Sequence, residues 1–393
     1  MLYLNECTMV SPLGNTHAAI KERLFERARS GVIMTDAWSA GRTLPLGLVD
    51  AALPAMDAWP PAQRSGNNRL ALAALAQIRP AVDAVIARVG VDRFGVVIGT
   101  STSGIAETEQ ALRQHALDGK LPSGFHYGQQ EMGSPAEMLA TELGVCGPAY
   151  AHSSACASSA KAIASAARLI NMGLCDAVLT GGVDSLCAFT VAGFSALESV
   201  SAVQCNPLSA NRNGINIGEG AALFLMTRAP AAVALCGWGE SSDGHHMSAP
   251  DPAGGGARLC IAQALARAGL DAAQIDYINL HGTATLQNDA MESRVIDALF
   301  GSTVAVSSTK PFTGHALGAA AAIEAGLCWL AMQDDNGEGK LPPHLWDGVA
   351  DPALPPLNVV TPGGRLGRPL RWALSNSFAF GGSNATLIFG RPA

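Results

Sequence analysis

Short apolar runs alternate with small-residue turns and alanine-rich amphipathic stretches along the whole chain. Residues 94–100, Phe-Gly-Val-Val-Ile-Gly-Thr, read as a buried strand running into a loop, because an unbroken β-branched run bounded by turn residues suits a strand covered on both faces. The same reasoning predicts strands at 176–183, 221–226, 231–238, 275–280, 304–307, 371–375 and 385–389. After residue 156 the apolar positions Ala162, Ile163, Ala166, Leu169 and Ile170 recur at helical spacing, and Gly173 supplies a stop. A second alanine-rich helix follows the strand that ends at Ser307.

Each half of the chain therefore carries a strand, a small-residue turn and a helix, at 153–169 and again at 307–330. The alternation predicts an α/β architecture with chemistry gathered on loops at strand ends. If the fold is a duplication, the two turns meet face to face, and the chain divides into an N-terminal half, 1–230, and a C-terminal half, 231–393. Residues 27–66 and 334–370, rich in Pro and Gly, show the weakest patterning and are expected to be surface excursions, not linkers.

Composition narrows the function classes. Apolar residues make up 48% of 393 and charged residues only 15%, which signals extensive burial. A net charge of −7 gives no support to nucleic-acid binding. The nine cysteines include no CxxC pair or zinc framework, which suits a reducing, cytoplasmic compartment. The N-terminus lacks a basic segment followed by an apolar run, and no stretch of about 18 uncharged apolar residues occurs, so a soluble protein is expected, neither secreted nor in a membrane.

Among the cysteines, Cys156 stands apart. It lies in Tyr150-Ala-His-Ser-Ser-Ala-Cys-Ala-Ser-Ser-Ala-Lys, where small residues lead directly into the predicted helix. A thiol in the first turn of a helix sits at the positive end of the dipole, which favours thiolate and aims backbone N–H groups at a substrate oxyanion. Two histidines follow predicted strands and enter Gly/Thr-rich turns: His281 in Asn279-Leu-His-Gly-Thr-Ala-Thr, and His315 in Lys310-Pro-Phe-Thr-Gly-His-Ala-Leu-Gly. They stand far apart in sequence with no HxH or HExxH spacing, so no metal site is expected. A cysteine nucleophile with two histidines points to acyl transfer.

The blocks HGT-x-T-x-x-x-D, K-x-x-x-GH-x-x-GAA, Asn211-Arg-Asn-Gly-Ile-Asn-Ile-Gly-Glu-Gly and Asn376-Ser-Phe-Ala-Phe-Gly-Gly-Ser-Asn384 occur in order. With Cys156 they resemble the Cys-His-His signature of elongating beta-ketoacyl-acyl-carrier-protein synthases of the thiolase-like superfamily, from Met9 to the last strand. The resemblance implies a duplicated five-layer α-β-α-β-α fold, usually a homodimer, with a heterodimer as the alternative. It implies a ping-pong decarboxylative Claisen condensation, in fatty acid or polyketide and aryl polyene elongation, with the acyl group on Cys156. His281 and His315 hold the malonyl thioester oxygen, assisted by Lys310 and by the supporting Glu324. Phe380 supplies an oxyanion N–H, Phe378 and Gly381 belong with it to a gating loop, and Thr283 and Thr285 line the substrate site. Arg212, Gly214, Gly218 and Glu219 read as scaffold. The phosphopantetheine arm arrives on an acyl carrier protein, so no resident cofactor is implied; Arg64 and Arg69 fall near the family's docking region.

The chain departs from the family pattern at Asn206-Pro-Leu-Ser209 and at the loop 99–105, both placed by the resemblance near the acyl pocket or dimer edge. Two other readings share the fold. A chain-length-factor-type partner lacks the nucleophilic cysteine, and a thiolase uses two cysteines without decarboxylation.

Overall fold

The computed structural model describes residues 1–392. In chain order its N-terminal half holds β1 (Leu2–Val10), α1 (His17–Lys21), β2 (Val32–Thr35), β3 (Leu44–Gly47), α2 (Gly66–Val89), β4 (Phe94–Gly99), α3 (Ile105–Asp118), α4 (Ser134–Leu143), β5 (Ala149–His152), α5 (Ser158–Asn171), β6 (Ala177–Asp184), α6 (Ala188–Ala196) and β7 (Gly220–Thr227). Its C-terminal half holds β8 (Ala234–Ser242), α7 (Gly255–Ala268), β9 (Tyr277–Asn279), α8 (Leu286–Phe300), β10 (Ala305–Ser307), α9 (Lys310–Thr313), α10 (Ala320–Ala331), β11 (Asn358–Val359), β12 (Trp372–Ala379) and β13 (Ser383–Gly390).

The strand order exposes the duplication. The N-terminal half runs β5-β4-β6-β7-β1 and the C-terminal half runs β10-β9-β12-β13-β8, with β11 added at the outer edge. In both, the first three strands are mutually parallel and the last two antiparallel. A two-residue pairing of β1 with β8 joins the halves into one continuous 11-stranded sheet. Helices α5 and α10 pack on each other between the halves, α2 and α4 cover one outer face, and α7 and α8 the other. The result is the five-layer, thiolase-like α-β-α-β-α arrangement.

Strand periodicity shows how the layers share residues. On β7, Leu223 and Leu225 face α2, while Ala222, Phe224 and Met226 face the central helices. All 12 residues of α10 are buried, which explains why its sequence shows no polar stripe. By length and composition α2 could cross a membrane, but it sets Leu70, Ala74, Leu75, Ile78 and Val82 into the core beside β4, β6 and β7.

Two expectations are corrected. Residues 27–66 are not all excursion: β2 and β3 form a hairpin, and Leu44 and Leu46 are buried against Ile215, Ile217 and Leu317. Gly47 is needed there because a Cβ would stand 2.1 Å from the carbonyl oxygen of Thr313. Residues 2–10, from which no strand was predicted, form β1, the strand that joins the two halves.

Candidate active site

Every reactive side chain singled out above lies just beyond the C-terminal end of a strand in the shared pattern. Cys156 follows β5, His281 follows β9, and Lys310 and His315 follow β10. Since β5 and β10 occupy equivalent places in the two halves, the duplication does bring their turns face to face. The Nε2 of His315 stands 3.0 Å from the Sγ of Cys156. The His281 and His315 rings are edge-on, with centroids 5.5 Å apart.

The turns are strained where they present these groups. Ala155, Ala284 and Leu317 all adopt positive φ (47°, 64° and 47°): the first directly precedes Cys156, the second follows His281 in the same turn and the third follows His315. Ala155 turns the chain sharply so that Cys156 projects from the elbow before α5 begins. Gly99 lets α5 approach: a Cβ there would lie 2.3 Å from the Ser159 nitrogen.

The thiol does not behave as the helix-dipole argument predicts. Cys156 precedes α5 by two residues and is 5% exposed. Burial pushes its pKa up to about 11, against the pull of Lys310 and of the Phe380 N–H directed at the sulfur. The resting group is a thiol, and desolvation outweighs the dipole.

Hydrogen bonding sets the histidine tautomers. The Lys310 ammonium has only donors to offer, and its Nζ lies 3.4 Å from His281 Nδ1, so that nitrogen carries the lone pair and Nε2 the proton. His315 Nδ1 is buried with no partner among the described residues. A proton on Nε2 leaves a bare lone pair at Nδ1, which is tolerated better than a bare N–H. Burial holds both imidazoles well below the usual histidine range, and the Lys310 charge adds to it. Two neutral Nε2–H donors therefore face the space above Cys156.

Lys310 and Glu324 form a buried ion pair at 2.5 Å. The pair neutralises itself while Lys310 orients His281, so its structural and functional readings coincide. Thr283 and Thr285, with hydroxyls 2.9 Å apart, line the same cavity as Cys156, His281, His315, Phe378 and Phe380. Phe378 sits edge-on to His281, with centroids 6.1 Å apart. Gly381 (φ 79°) is outside the cavity lining; its N–H donates to the Met247 carbonyl and anchors the β12–β13 turn. The cavity measures about 70 Å³, well below the ~300 Å³ at which ligand pockets begin. Phe194 of α6 packs on Phe380, centroids 5.3 Å apart, and closes it.

The cysteine and histidine ligand atoms lie within 4.8 Å of one another, so distance along the chain, taken above as evidence against a metal site, does not separate them in space. The tautomers argue against a cation there: Lys310 faces His281 Nδ1, so the Nε2 atoms present N–H donors to the cavity in place of lone pairs, which suits a developing anion.

Several supporting groups gave no recognisable sequence signal. Glu292 of α8 accepts the N–H groups of His281 and Gly282, each at 2.8 Å, and the Asn376 amide at 3.3 Å. Asp184, at the end of β6, accepts from Thr100, Ser101, Thr102 and, across the halves, the Gly318 N–H at 2.6 Å. The departures noted above thus serve the scaffold: loop 99–105 grips Asp184, and Asn206 and Ser209 are tied to Asp347. Arg64 donates to the Asp57 and Trp59 carbonyls, and Arg69 to those of Leu53 and Pro54, bracing their own loop.

Comparison with known proteins agrees with this geometry. The family model for the beta-ketoacyl synthase N-terminal domain matches residues 63–232, and that for the C-terminal domain matches 232–345. Nodulation protein E of Rhizobium meliloti is 36% identical over 310 residues, covering 76% of this chain and 75% of the relative. The 3-oxoacyl-[acyl-carrier-protein] synthase 2 of that organism is 35% identical over 319 residues, covering 76% and 74%. Among solved structures, the ketosynthase ApeO of Xenorhabdus doucetiae, in complex with its chain length factor ApeC, is 45% identical, with a TM-score of 0.93 over 100% of this chain and 98% of that one.

Proposed function

The chain belongs to the beta-ketoacyl synthase family, and from that premise we propose that Cys156, His281, His315 and Lys310 carry its condensation between them. It is a condensing acyltransferase. Cys156 attacks the carbonyl of an acyl-carrier thioester; the carrier's C–S bond breaks, the thiol proton leaves with the carrier, and the acyl group remains on Sγ. The N–H groups of Cys156 and Phe380 hold the oxyanion of that step. Malonyl-carrier thioester then loses carbon dioxide, and the Nε2–H groups of His281 and His315 stabilise the enolate oxygen. The enolate carbon attacks the acyl carbonyl, and Cys156 leaves as thiolate and regains a proton. Thr283 and Thr285 line the path of the phosphopantetheine arm, and the turn bearing Phe378, Phe380 and Gly381 opens for the acyl chain. No resident cofactor enters any step.

The convergence of Cys156 Sγ and two Nε2–H donors on one cavity carries this reading. It favours a condensing subunit over a chain-length-factor-type one, which lacks the nucleophile. It also speaks against a thiolase, because Cys156 is the sole cysteine among the described cavity-lining residues. We assign the chain to polyketide or aryl polyene elongation, working with an acyl carrier protein and a chain-length-factor-type second subunit. The 45% identity to a ketosynthase that forms such a complex, against 35% to the fatty acid enzyme, supports that choice. Nine free cysteines support a reducing, cytoplasmic setting.

The test is intact-mass analysis after incubation with saturated, polyene and aryl acyl-carrier proteins, with and without a chain-length-factor-type subunit, followed by peptide mapping. One acyl group on Cys156, discharged by malonyl-carrier protein, is expected, with unsaturated donors loading fastest. No acylation under any condition overturns the reading.

A further inference from the structure

Behind the two catalytic turns lies a histidine outside the family blocks quoted above. His344, in Leu341-Pro-Pro-His-Leu-Trp, is 1% exposed, 36 positions after Ser308 and not itself part of the cavity lining. The Ser308 N–H donates to its Nδ1 at 3.0 Å, and its Nε2–H donates to the Pro207 carbonyl at 2.9 Å. Trp346 packs edge-on against the ring, centroids 5.4 Å apart. Both ring nitrogens are therefore committed, and the tautomer has no freedom.

Ser308 is the pivot. Its hydroxyl donates to the Gly282 carbonyl at 2.7 Å, next to His281, and accepts the Lys310 N–H at 3.4 Å. Gly282 stands so close to Ser308 that a Cβ on it would lie 2.5 Å from the serine Cβ. The serine thus holds the His281 turn against the Lys310 turn, and His344 holds the serine. On the far side Pro207 precedes Leu208, whose N–H is held by Asp289 of α8 at 2.8 Å. One imidazole thus ties the Pro207 loop to the Ser308 turn, which the serine hydroxyl in turn ties to Gly282.

We propose that His344 is a positioning residue for the decarboxylating half-reaction, bridging Pro207 and Ser308 so that the His281 turn and the Lys310 turn keep their mutual register. The inference rests on the roles proposed above for His281 and Lys310. Cys156 sits on a turn from the other half of the fold and meets this bridge only indirectly, through His315 and Lys310, so its acylation is expected to respond less than decarboxylation.

The test separates the two ring nitrogens. H344N keeps an acceptor near Nδ1, H344Q keeps a donor near Nε2, and H344F keeps neither. Cys156 acylation by acyl-carrier protein and carbon dioxide release from malonyl-carrier protein are measured for each, with thermal melts as the folding control. In H344Q and H344F decarboxylation is expected to fall in kcat by on the order of tenfold to a hundredfold, the scale of an ~1 Å misplacement. H344N, which keeps the Ser308 contact and loses only the Pro207 bond, is expected to fall less than either, and acylation stays within about twofold throughout. Two results overturn the proposal: unchanged decarboxylation in H344F, or acylation and decarboxylation declining together in proportion to lost thermal stability. If the unmodified enzyme never acylates Cys156, the underlying reading fails instead, which the same assay shows separately.

Discussion

Glu292 shows how a single buried carboxylate can govern the site without touching substrate. Its two oxygens accept the N–H groups of His281 and Gly282 and so fix the turn that aims His281. Burial raises its pKa from 4.5 to about 7, despite those bonds. When protonated it carries an O–H in a place built for acceptors only, so the turn is best held by the ionised form. Decarboxylation is therefore expected to rise with pH through about 7. Stability runs the other way: the folded state holds the proton more tightly than the unfolded chain, so the group's contribution is complete below pH 4.5 and is lost as pH rises through about 7. That shift is worth about 3 kcal/mol. E292Q should flatten the ascending limb and lower kcat on the order of tenfold or more, while removing this stability slope; a pH–rate profile and melts across the same range check both. A limb that survives in E292Q would assign it to another group. At this scale Cys156, His281 and His315 stood out in the sequence because reactive types sat beside turn residues after apolar runs, while Lys310 came only with the family resemblance. Glu292, Asp184 and His344 did not stand out, because what a buried polar side chain does depends on partners that only the fold supplies.

The short helix α6 has a larger effect on the pocket than its apolar sequence suggests. It carries no side-chain cap of its own, and the Glu109 carboxylate from α3 accepts the N–H of Ala188 at its first turn. This seats Phe194 against Phe380 and leaves only about 70 Å³ above Cys156. The gating role proposed for this aromatic pair can be tested directly. F194A is expected to speed loading of long acyl donors about tenfold, equivalent to about 1.4 kcal/mol of barrier, and to leave acetyl loading unchanged. Acylation rates across a chain-length series test this, and an equal change at every length would show that the pair is not the gate. Elements with uniform apolar runs, such as β4, β6 and β7, were readable from pattern alone. β1 was hidden because Asn5, Glu6 and a bulge between Leu4 and Glu6 break its alternation. β3 was hidden because four residues between Pro- and Gly-rich stretches carry too little periodicity, and its burial comes from Ile215, Ile217 and Leu317 far along the chain.

For the molecule as a whole, the repeated strand order raises the question of whether the halves, 1–230 and 231–393, are separate folding units. The turn pattern at 153–169 and 307–330 suggested the repeat from sequence, but what holds the copies together was not visible there. The main core cluster draws on both halves at once: Phe224 and Ile163 share it with Tyr277, Ile323 and Phe389. Helix α10 is buried along its whole length, packed against α5 on one side and touching strands of both halves. β1 pairs with β7 of its own half and with β8 of the other. Asp184 ties β6 to Gly318 beside the His315 turn. Removing either half would expose the central helices and most of the largest core, so neither copy buries enough surface to stand alone. The chain is expected to melt in one cooperative transition, with a ratio of calorimetric to van't Hoff enthalpy of about one; two independent halves would give about two. Scans at two protein concentrations separate subunit dissociation from unfolding within the chain. Two resolved endotherms that persist at both concentrations would show that the halves fold independently, and the active site between them would then be an interface able to open before either half unfolds.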